Sequence, residues 1–426
     1  MRRAALNSGL RLANGLANVV EMKWTAFILL IPAAFAANTG ASSVTYTKDV
    51  APIIMNRCVA CHRPGEAAPM AFTNYQETRP WAKAIKNAVV ARKMPVWLAD
   101  PAHGEFRNDR RISVEEIAKI AAWADAGAPE GDSKLMPAMP SFPDGWNIGK
   151  PDVTFDMGTD FSIPKAGTIP YKYFTVDPGF TEDKWIEEAE IKPSARSLVH
   201  HVIVFIVEPG AKGGDRGEGA VANYLTGFAP GEQPLHLRPG TAKLIKAGSK
   251  LRFQVHYTTN GNEGTDRTQV AMRFAKDVPK YRALVGTALN FAFKIPAGSD
   301  NHEVKSSFTL KQDIEVVSWM PHMHVRGKSF EYTVVYPDGR SEVVLNVPKY
   351  DFNWQLQYEL AKPMHLPAGT RIDCVAHFDN SVNNKYNPDP NKEVKWGDQT
   401  WEEMMIGFFT YTVPNVTKAP VSAGGE

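Results

Sequence analysis

The most specific chemical motif in the chain is a pair of cysteines followed directly by a histidine. Cys58-Val59-Ala60-Cys61-His62 places two thiols three residues apart, with an imidazole next to the second thiol. Such thiols can form thioethers with the two vinyl groups of haem, and the imidazole can then bind the iron. A thioredoxin-type redox pair would require an α/β domain, and a zinc site would require a second cysteine pair. The motif therefore predicts a covalently attached haem c.

The sixth ligand of that haem iron has several candidates. Met94 lies in Lys93-Met94-Pro95-Val96-Trp97, where Pro95 is expected to end the preceding helix and stiffen the loop that presents the sulfur. A thioether ligand raises the haem potential relative to two imidazoles. We predict Met94 as the ligand, although most methionines only pack in cores. Met70, His103 and an open position remain as alternatives.

Nine of the eleven histidines follow residue 150, and three of them suggest a metal site. His200 and His201 stand at the head of the apolar run Val202–Ile206, and His256 lies in a second strand-like run. Two adjacent imidazoles entering a buried strand are costly unless something binds them. Neighbours on a regular strand face opposite sides, so both reach one metal only if the strand kinks or starts there, or if different ring nitrogens are used. Three imidazoles suit copper or zinc.

A second set combines two imidazoles with a thioether. His322 and His324 are two residues apart, so both rings face one side of a strand, and Met404 lies late in the chain. Soft sulfur favours copper, since it stabilises Cu(I). Met405 is a rival ligand, because only one of the two adjacent methionines can face the site. The other histidines are interpreted as surface or core residues, with His377 the one most able to line the site: His236, His302, His365 and His377.

In this order the motifs resemble those of the copper type II, ascorbate-dependent monooxygenases, which include peptidylglycine α-hydroxylating and dopamine β-monooxygenases. The resemblance spans roughly residues 150–415 in motifs rather than overall similarity. It implies that His200, His201 and His256 hold an electron-transfer copper. It also implies that His322, His324 and Met404 hold the copper that activates dioxygen, and that the two coppers face each other across a solvent-filled cleft.

The sequence departs from the peptide-hydroxylating members of that family at the positions that bind the substrate carboxylate. Those positions are occupied here by Met320, Ile406 and Phe408, all apolar. The family's disulfides are also missing, and Cys374 is interpreted as an inert buried thiol. The departures predict a small, neutral or apolar organic substrate near the second copper.

The elements that must position these residues fall into three parts. Residues 45–132 show helical periodicity, with a capping box formed by Ser113 and Glu116, and are predicted to form a small all-α c-type cytochrome domain. A Pro-rich linker over 133–150 precedes two predicted antiparallel, jelly-roll-like β-sandwich domains, 151–277 and 278–415, and a tail over 416–426. About thirteen β-type runs support the sandwiches: 170–176, 184–191, 199–207, 250–258, 268–274, 289–295, 303–310, 313–319, 329–336, 341–347, 354–360, 370–378 and 404–412.

Composition and the N-terminal segment indicate where the protein works. The 426 residues carry 48 Lys+Arg and 46 Asp+Glu, a net charge of +2, so no large field recruits nucleic acid. Residues 1–36 have the pattern of a secretory signal, with Met22 as an alternative start and an uncleaved anchor as an alternative outcome. We therefore predict a periplasmic or secreted protein with no stable membrane span after cleavage.

Together these features predict a haem- and copper-dependent monooxygenase. It would use dioxygen, an external electron donor and two copper ions to hydroxylate a C–H bond, with electrons relayed through the haem. Two other functions are compatible with the same residues. One is a non-enzymatic periplasmic electron-transfer or copper-binding cytochrome, and the other is a zinc-containing sandwich that binds carbohydrate or a protein partner.

Overall fold

The computed structural model describes residues 44–416, apart from 65, 67, 144, 212–222 and 230. The predicted signal segment and all but the first residue of the predicted tail lie outside the described residues. None of the helices in the described part of the chain is long and apolar enough to cross a membrane.

The helices lie in the first third of the chain and are short. The capping box is confirmed, because the Ser113 hydroxyl accepts a hydrogen bond from the Glu116 amide and the Glu116 carboxylate accepts one from the Ser113 amide. A π-helical turn covers Tyr46–Val50, and 3₁₀ turns cover Arg79–Trp81, Ser133–Leu135 and Arg196–Leu198. The α-helices are α1 (Ala51–Arg57), α2 (Tyr75–Thr78), α3 (Ala82–Val90) and α4 (Val114–Asp125).

The predicted fold class, a small all-α cytochrome domain followed by two β-sandwich domains, is wrong. Strands hold 37% and helices 13% of the described residues, so the fold is mostly β-sheet without a separate all-α domain. The physical reason lies between α3 and α4. Val96, Trp97 and Ala99 pack into the core of the last β region, and Phe106 forms a β-bridge with Leu360. Helical periodicity cannot reveal that apolar residues outside the helices belong to another core.

The β region follows from residue 153 onward. Its strands among the described residues are β1 (Val153–Asp156), β2 (Phe161–Ile163), β3 (Lys172–Val176), β4 (Lys184–Lys192), β5 (Val199–Val207), β6 (Tyr224–Phe228), β7 (Leu235–His236), β8 (Thr241–Ile245), β9 (Lys250–Tyr257), β10 (Gly264–Asp266), β11 (Gln269–Phe274), β12 (Tyr281–Leu289), β13 (Lys294–Ile295), β14 (His302–Thr309), β15 (Ile314–His322), β16 (Gly327–Val335), β17 (Ser341–Val347), β18 (Tyr358–Leu366), β19 (Arg371–Phe378), β20 (Val394–Lys395) and β21 (Ile406–Pro414).

One large sheet runs through both halves of the β region, in the order β1-β11-β4-β8-β12-β21-β15-β18, with β7 also paired to β4. The parallel pairing of β8 with β12 joins the halves, although a domain boundary is predicted near residues 277–279. Two four-stranded sheets, β3-β9-β5-β6 and β14-β19-β16-β17, complete the main architecture. Each half has its own hydrophobic core, an arrangement consistent with β-sandwich packing.

Candidate metal centre

A β-bulge in β5 brings two adjacent histidines to the same place. In the pairing of β5 with β9, Val199 lies opposite Tyr257 and His201 lies opposite His256, so His200 is an extra residue without a partner. A bulge of this kind changes the direction in which a side chain points. As a result the Nδ1 atoms of His200 and His201 are 3.1 Å apart, instead of lying on opposite faces of the sheet.

His200, His201 and His256 form a compact group of donor atoms. One ring nitrogen from each lies within 4.8 Å of the others. Nε2 of His200 and Nδ1 of His256 are buried without a hydrogen-bond partner, whereas Nε2 of His256 lies 3.3 Å from the Thr400 hydroxyl. Because buried nitrogens without partners are costly, this group has the donor chemistry of a metal site. We call it the first histidine group.

Burial keeps these imidazoles neutral. It lowers the pKa of His256 to about 3, with a smaller contribution from His200, and it lowers the pKa of His201 well below the usual value. The pKa of His200 is also lowered, mainly by burial. Only the neutral ring binds a metal ion, so the three side chains are in ligand form at neutral pH.

His322 and His324 also come together, at the end of β15 and just beyond it, with ring centroids 5.3 Å apart. Nδ1 of His322 bonds to Oε1 of Gln355 at 2.6 Å, and Nδ1 of His324 donates to the carbonyl of Glu402 at 3.1 Å. These bonds leave Nε2 of each ring for a ligand, and Nε2 of His324 is buried without a partner. Burial lowers the pKa of His322 to about 4.

The segment with the two methionines runs beside His324. The buried Glu403 carboxylate accepts hydrogen bonds from the backbone amides of His324 at 2.8 Å and Arg326 at 2.7 Å. Met405 is fully buried in the core of the last β region. Met404 instead packs, partly buried, against the apolar cluster that contains Phe408, whose ring centroid is 6.2 Å from that of His322. We call His322, His324 and Met404 the second group.

Two aromatic rings, which sequence spacing did not indicate, separate the two groups. The Phe352 ring stacks on His200 with centroids 4.9 Å apart and lies 6.0 Å from the ring centroid of His324. The Tyr171 ring lies 4.8 Å from that of His256 and 6.4 Å from that of His324. The imidazoles thus pack against the buried Tyr171 ring and the half-buried Phe352 ring. The solvent-filled cleft that the resemblance implies stays a prediction.

The cysteine motif forms a turn at the end of α1. The amides of Cys61 and His62 both donate to the Cys58 carbonyl, and Nδ1 of His62 bonds to the Met70 carbonyl at 3.1 Å, leaving Nε2 for a ligand. Burial raises the pKa of Cys58 to about 12, so this thiol is not the activated thiolate of a redox-active pair. The residues fit the thioether and imidazole anchors of haem c.

The remaining predicted residues lie apart from both histidine groups. Met94 is at the surface after α3, with 38% of its area exposed, and its role as the sixth ligand stays a prediction. His236 and His365 pair with Glu188 and Glu315, and His377 contacts Ser329.

The cysteine motif and the first histidine group are joined by side chains. Glu66, in the turn after His62, forms an ion pair of 2.9 Å with Arg196, which lies just before β5. On a second route, Arg110 donates to the Gly231 carbonyl at 2.7 Å. The side chains of Arg110 and Trp354 both pack against Gly231, and Trp354 is two residues from Phe352.

Comparison with known proteins does not identify the chain. Neither a family model nor a curated protein matches the sequence. Among solved structures, that of infectious bursal disease virus Gx strain is 8% identical, with 65% of this chain and 75% of that chain covered and a TM-score of 0.19. PNGF-II is 11% identical over 61% of this chain and 65% of that chain, with a TM-score of 0.28. An allantoicase is 10% identical over 52% and 80%, with a TM-score of 0.17. Similarity at this level carries no argument about function.

Proposed function

We propose that the protein is an exported haem- and copper-dependent monooxygenase that hydroxylates a C–H bond of a small organic molecule. The observation that carries this proposal is the convergence of four buried histidines and the half-buried His200 into two adjacent groups, each with at least one buried ring nitrogen left without a hydrogen-bond partner. The predicted signal segment supports export, and the motif order of the copper type II monooxygenases supports the reaction class.

The donor set favours copper over zinc. The first histidine group offers three neutral imidazoles, which either metal accepts. The second group adds the Met404 thioether, a ligand that suits Cu(I) and that zinc rarely takes. When bound, copper would supply dioxygen activation and haem c would supply single electrons; the chain's own residues hold these groups and shape their surroundings.

Those residues have separate tasks. Gln355 and the Glu402 carbonyl fix the ring orientations of His322 and His324, and Thr400 does so for His256. Met320 and Phe408 give the second group an apolar neighbourhood, which favours an apolar substrate portion there. The side-chain links through Arg196, and through Arg110 with Trp354, offer short contact routes between the cysteine motif and the first histidine group.

Metal analysis of the purified protein is the first test. We expect about two copper ions and one iron per chain, and stoichiometric zinc in place of copper would reject the oxygenase.

Rapid-mixing spectroscopy then tests the relay of electrons from the haem to copper. Haem that has been reduced beforehand should be reoxidised by dioxygen faster in copper-loaded than in copper-free protein, and equal rates would reject the relay.

A Met404→Leu variant separates an oxygenase from an electron carrier. We expect loss of substrate oxidation with copper retained in the first histidine group, because Met404 belongs only to the second group. The control is Met139→Leu, since Met139 is exposed and distant in sequence from both groups. Unchanged oxidation in the Met404 variant would reject Met404 as a copper ligand of the second group, whereas no oxidation by the parent protein favours the electron-transfer or copper-binding alternative.

A further inference from the structure

One face of the large sheet forms a groove that leads to the second group. In the pairing of β15 with β21, Ser318 lies opposite Thr410, Met320 opposite Phe408, and His322 opposite Ile406. Alternate residues of a strand share a face, so these side chains line one side of the sheet. The residues between them, such as Trp319 and Phe409, point into the core on the other side.

Two cavities lie on this face and share part of their walls. The inner cavity has a volume of about 240 Å³, part of it open solvent, and is lined mainly by Tyr224, Val285, Met320 and Phe408. The outer cavity encloses about 500 Å³, part of it open solvent, and lies towards the surface. Ser318, Gln357 and Thr410 border both, so the two are continuous. We call them together the substrate groove.

The groove changes from apolar to polar with distance from the second group. Besides hydroxyl groups, its outer part contains two arginines from different parts of the chain, Arg107 and Arg238, and the single carboxylate Glu359. Arg107 pairs with Glu359, whereas the guanidinium of Arg238 donates to the Leu360 carbonyl at 2.8 Å. His236, also on this wall, pairs with Glu188.

This arrangement leaves one positive charge unmatched at the outer end. Glu359 is the single carboxylate in the outer part for two guanidinium groups: it forms an ion pair with Arg107 and also acts on Arg238 through its charge, so one positive charge remains for an anion. None of the side chains that line the apolar inner end carries a charge that could pair with a charged ligand group. A molecule that fits both ends therefore carries a single negative charge at one end only.

We propose that the substrate groove binds an amphiphilic monoanion, rather than the neutral or apolar molecule that the sequence predicts, with its carboxylate at Arg238 and Arg107 and its alkyl portion on Met320 and Phe408. The alkyl end would then lie towards His322 and Met404. The distance along β15 from Ser318 to His322 is about 13 Å, which suits a medium-length alkyl chain. The role of the bound anion as a substrate rests on the proposed function, whereas binding of the anion requires no turnover.

Calorimetric titration of the full-length protein with octanoate, and separately with octan-1-ol, tests the proposal. We expect octanoate to bind more tightly than the alcohol. Arg238→Met should weaken octanoate about tenfold or more, since a charge-assisted hydrogen bond is lost, and leave the alcohol unchanged. The matched control is Arg340→Met, because Arg340 is an exposed arginine in a hairpin turn with its own partner, Asp338.

A second variant tests the inner end. Phe408→Leu should weaken octanoate and octan-1-ol by similar factors, because it removes apolar contact without changing charge. Equal affinity of the parent protein for both probes, or an Arg238 variant that binds octanoate as the parent does, overturns the proposal. Arginine-dependent binding without any hydroxylation of octanoate by the copper-loaded protein rejects the proposed oxygenase function while leaving the binding site intact.

Discussion

At the scale of single residues, hydrogen bonds decide which nitrogen of each histidine can bind a metal. His322 and His324 both use Nδ1 in bonds to oxygen acceptors, and both keep Nε2 for a ligand. His256 does the opposite, with Nε2 near Thr400 and Nδ1 free. Such partners fix ring orientation before the metal arrives, so their loss should weaken binding even though the ligands remain.

Gln355→Leu tests this orientation. The variant removes the 2.6 Å bond to Nδ1 of His322, and we expect about a tenfold to hundredfold loss of copper affinity in the second group. Competition titration with a copper chelator measures it. Gln357→Leu is the control, because that amide bonds to the Ser318 hydroxyl instead of a histidine. Equal affinities in the two variants would contradict an orienting role for Gln355.

Glu232 should make stability fall as pH rises. Burial raises the pKa of this carboxyl to about 8, against partial compensation by Arg110. At pH values between the pKa of the unfolded state and about 8, the folded state binds this proton more tightly than the unfolded state does. The free energy of unfolding is therefore highest below this pH interval and falls as the pH rises through it. Glu232→Gln removes this dependence and should gain roughly 1–2 kcal/mol relative to the parent between pH 5 and pH 8.

Urea denaturation at both pH values measures this effect. Glu263→Gln, at an exposed position, should follow the parent's pH profile. If the difference in stability between Glu232→Gln and the parent does not change with pH, a raised pKa of the half-buried Glu232 carboxyl is ruled out.

At the scale of elements, the bulge in β5 shows which features of the site the sequence can predict. The adjacent pair His200 and His201 required a kink for both rings to meet, and the bulge supplies it. The bounds of β5 and β17 also match the predicted runs 199–207 and 341–347. The rings of Phe352 and Tyr171 could not be predicted, because they lie outside strands and reach the histidines only through tertiary packing.

The sequence pattern does not predict β12, for a different physical reason. Gly286 interrupts its apolar pattern, and the structure shows why a glycine is required: a Cβ at this position would lie 2.2 Å from Cζ of Phe409, its partner on β21. A glycine in a strand marks a close approach by another group, but sequence alone does not say which group.

Gly286→Ala should therefore strain the junction between the two halves of the sheet. The buried Phe409 ring has to move, and we expect a loss of about 1–3 kcal/mol in the free energy of unfolding. Thr287→Ala, at the next position of β12, adds no atoms and is the control. Thermal or urea unfolding measures both variants, and a stability for Gly286→Ala equal to the control would show that Phe409 relaxes without cost.

At the scale of the whole molecule, the helical segment is joined to the β region by packing that the sequence pattern does not indicate. Trp97 is buried in the last β core, with its ring centroid 5.0 Å from that of Tyr358 and 5.9 Å from that of Phe106. The same segment carries Arg107 and Arg110, which reach the outer groove and the Gly231 carbonyl. The helical segment that carries the cysteine motif is thus tied to the β region by the packing of Trp97, by the Glu66–Arg196 ion pair and by the hydrogen bond of Arg110.

Trp97→Ala tests this joint core. Removing a buried aromatic side chain leaves a cavity, so we expect a loss of about 3–5 kcal/mol, together with faster amide exchange in β17 and β18 as well as in the helical segment. Trp81→Ala is the matched control, since that ring is 41% exposed on the helical segment and its loss should cost less than 1 kcal/mol. Exchange that accelerates only between residues 44 and 132 would mean that the helical segment unfolds by itself. The contacts of Trp97 with the strands would then contribute little, and the short routes from the cysteine motif to the histidines would lose their rigid support.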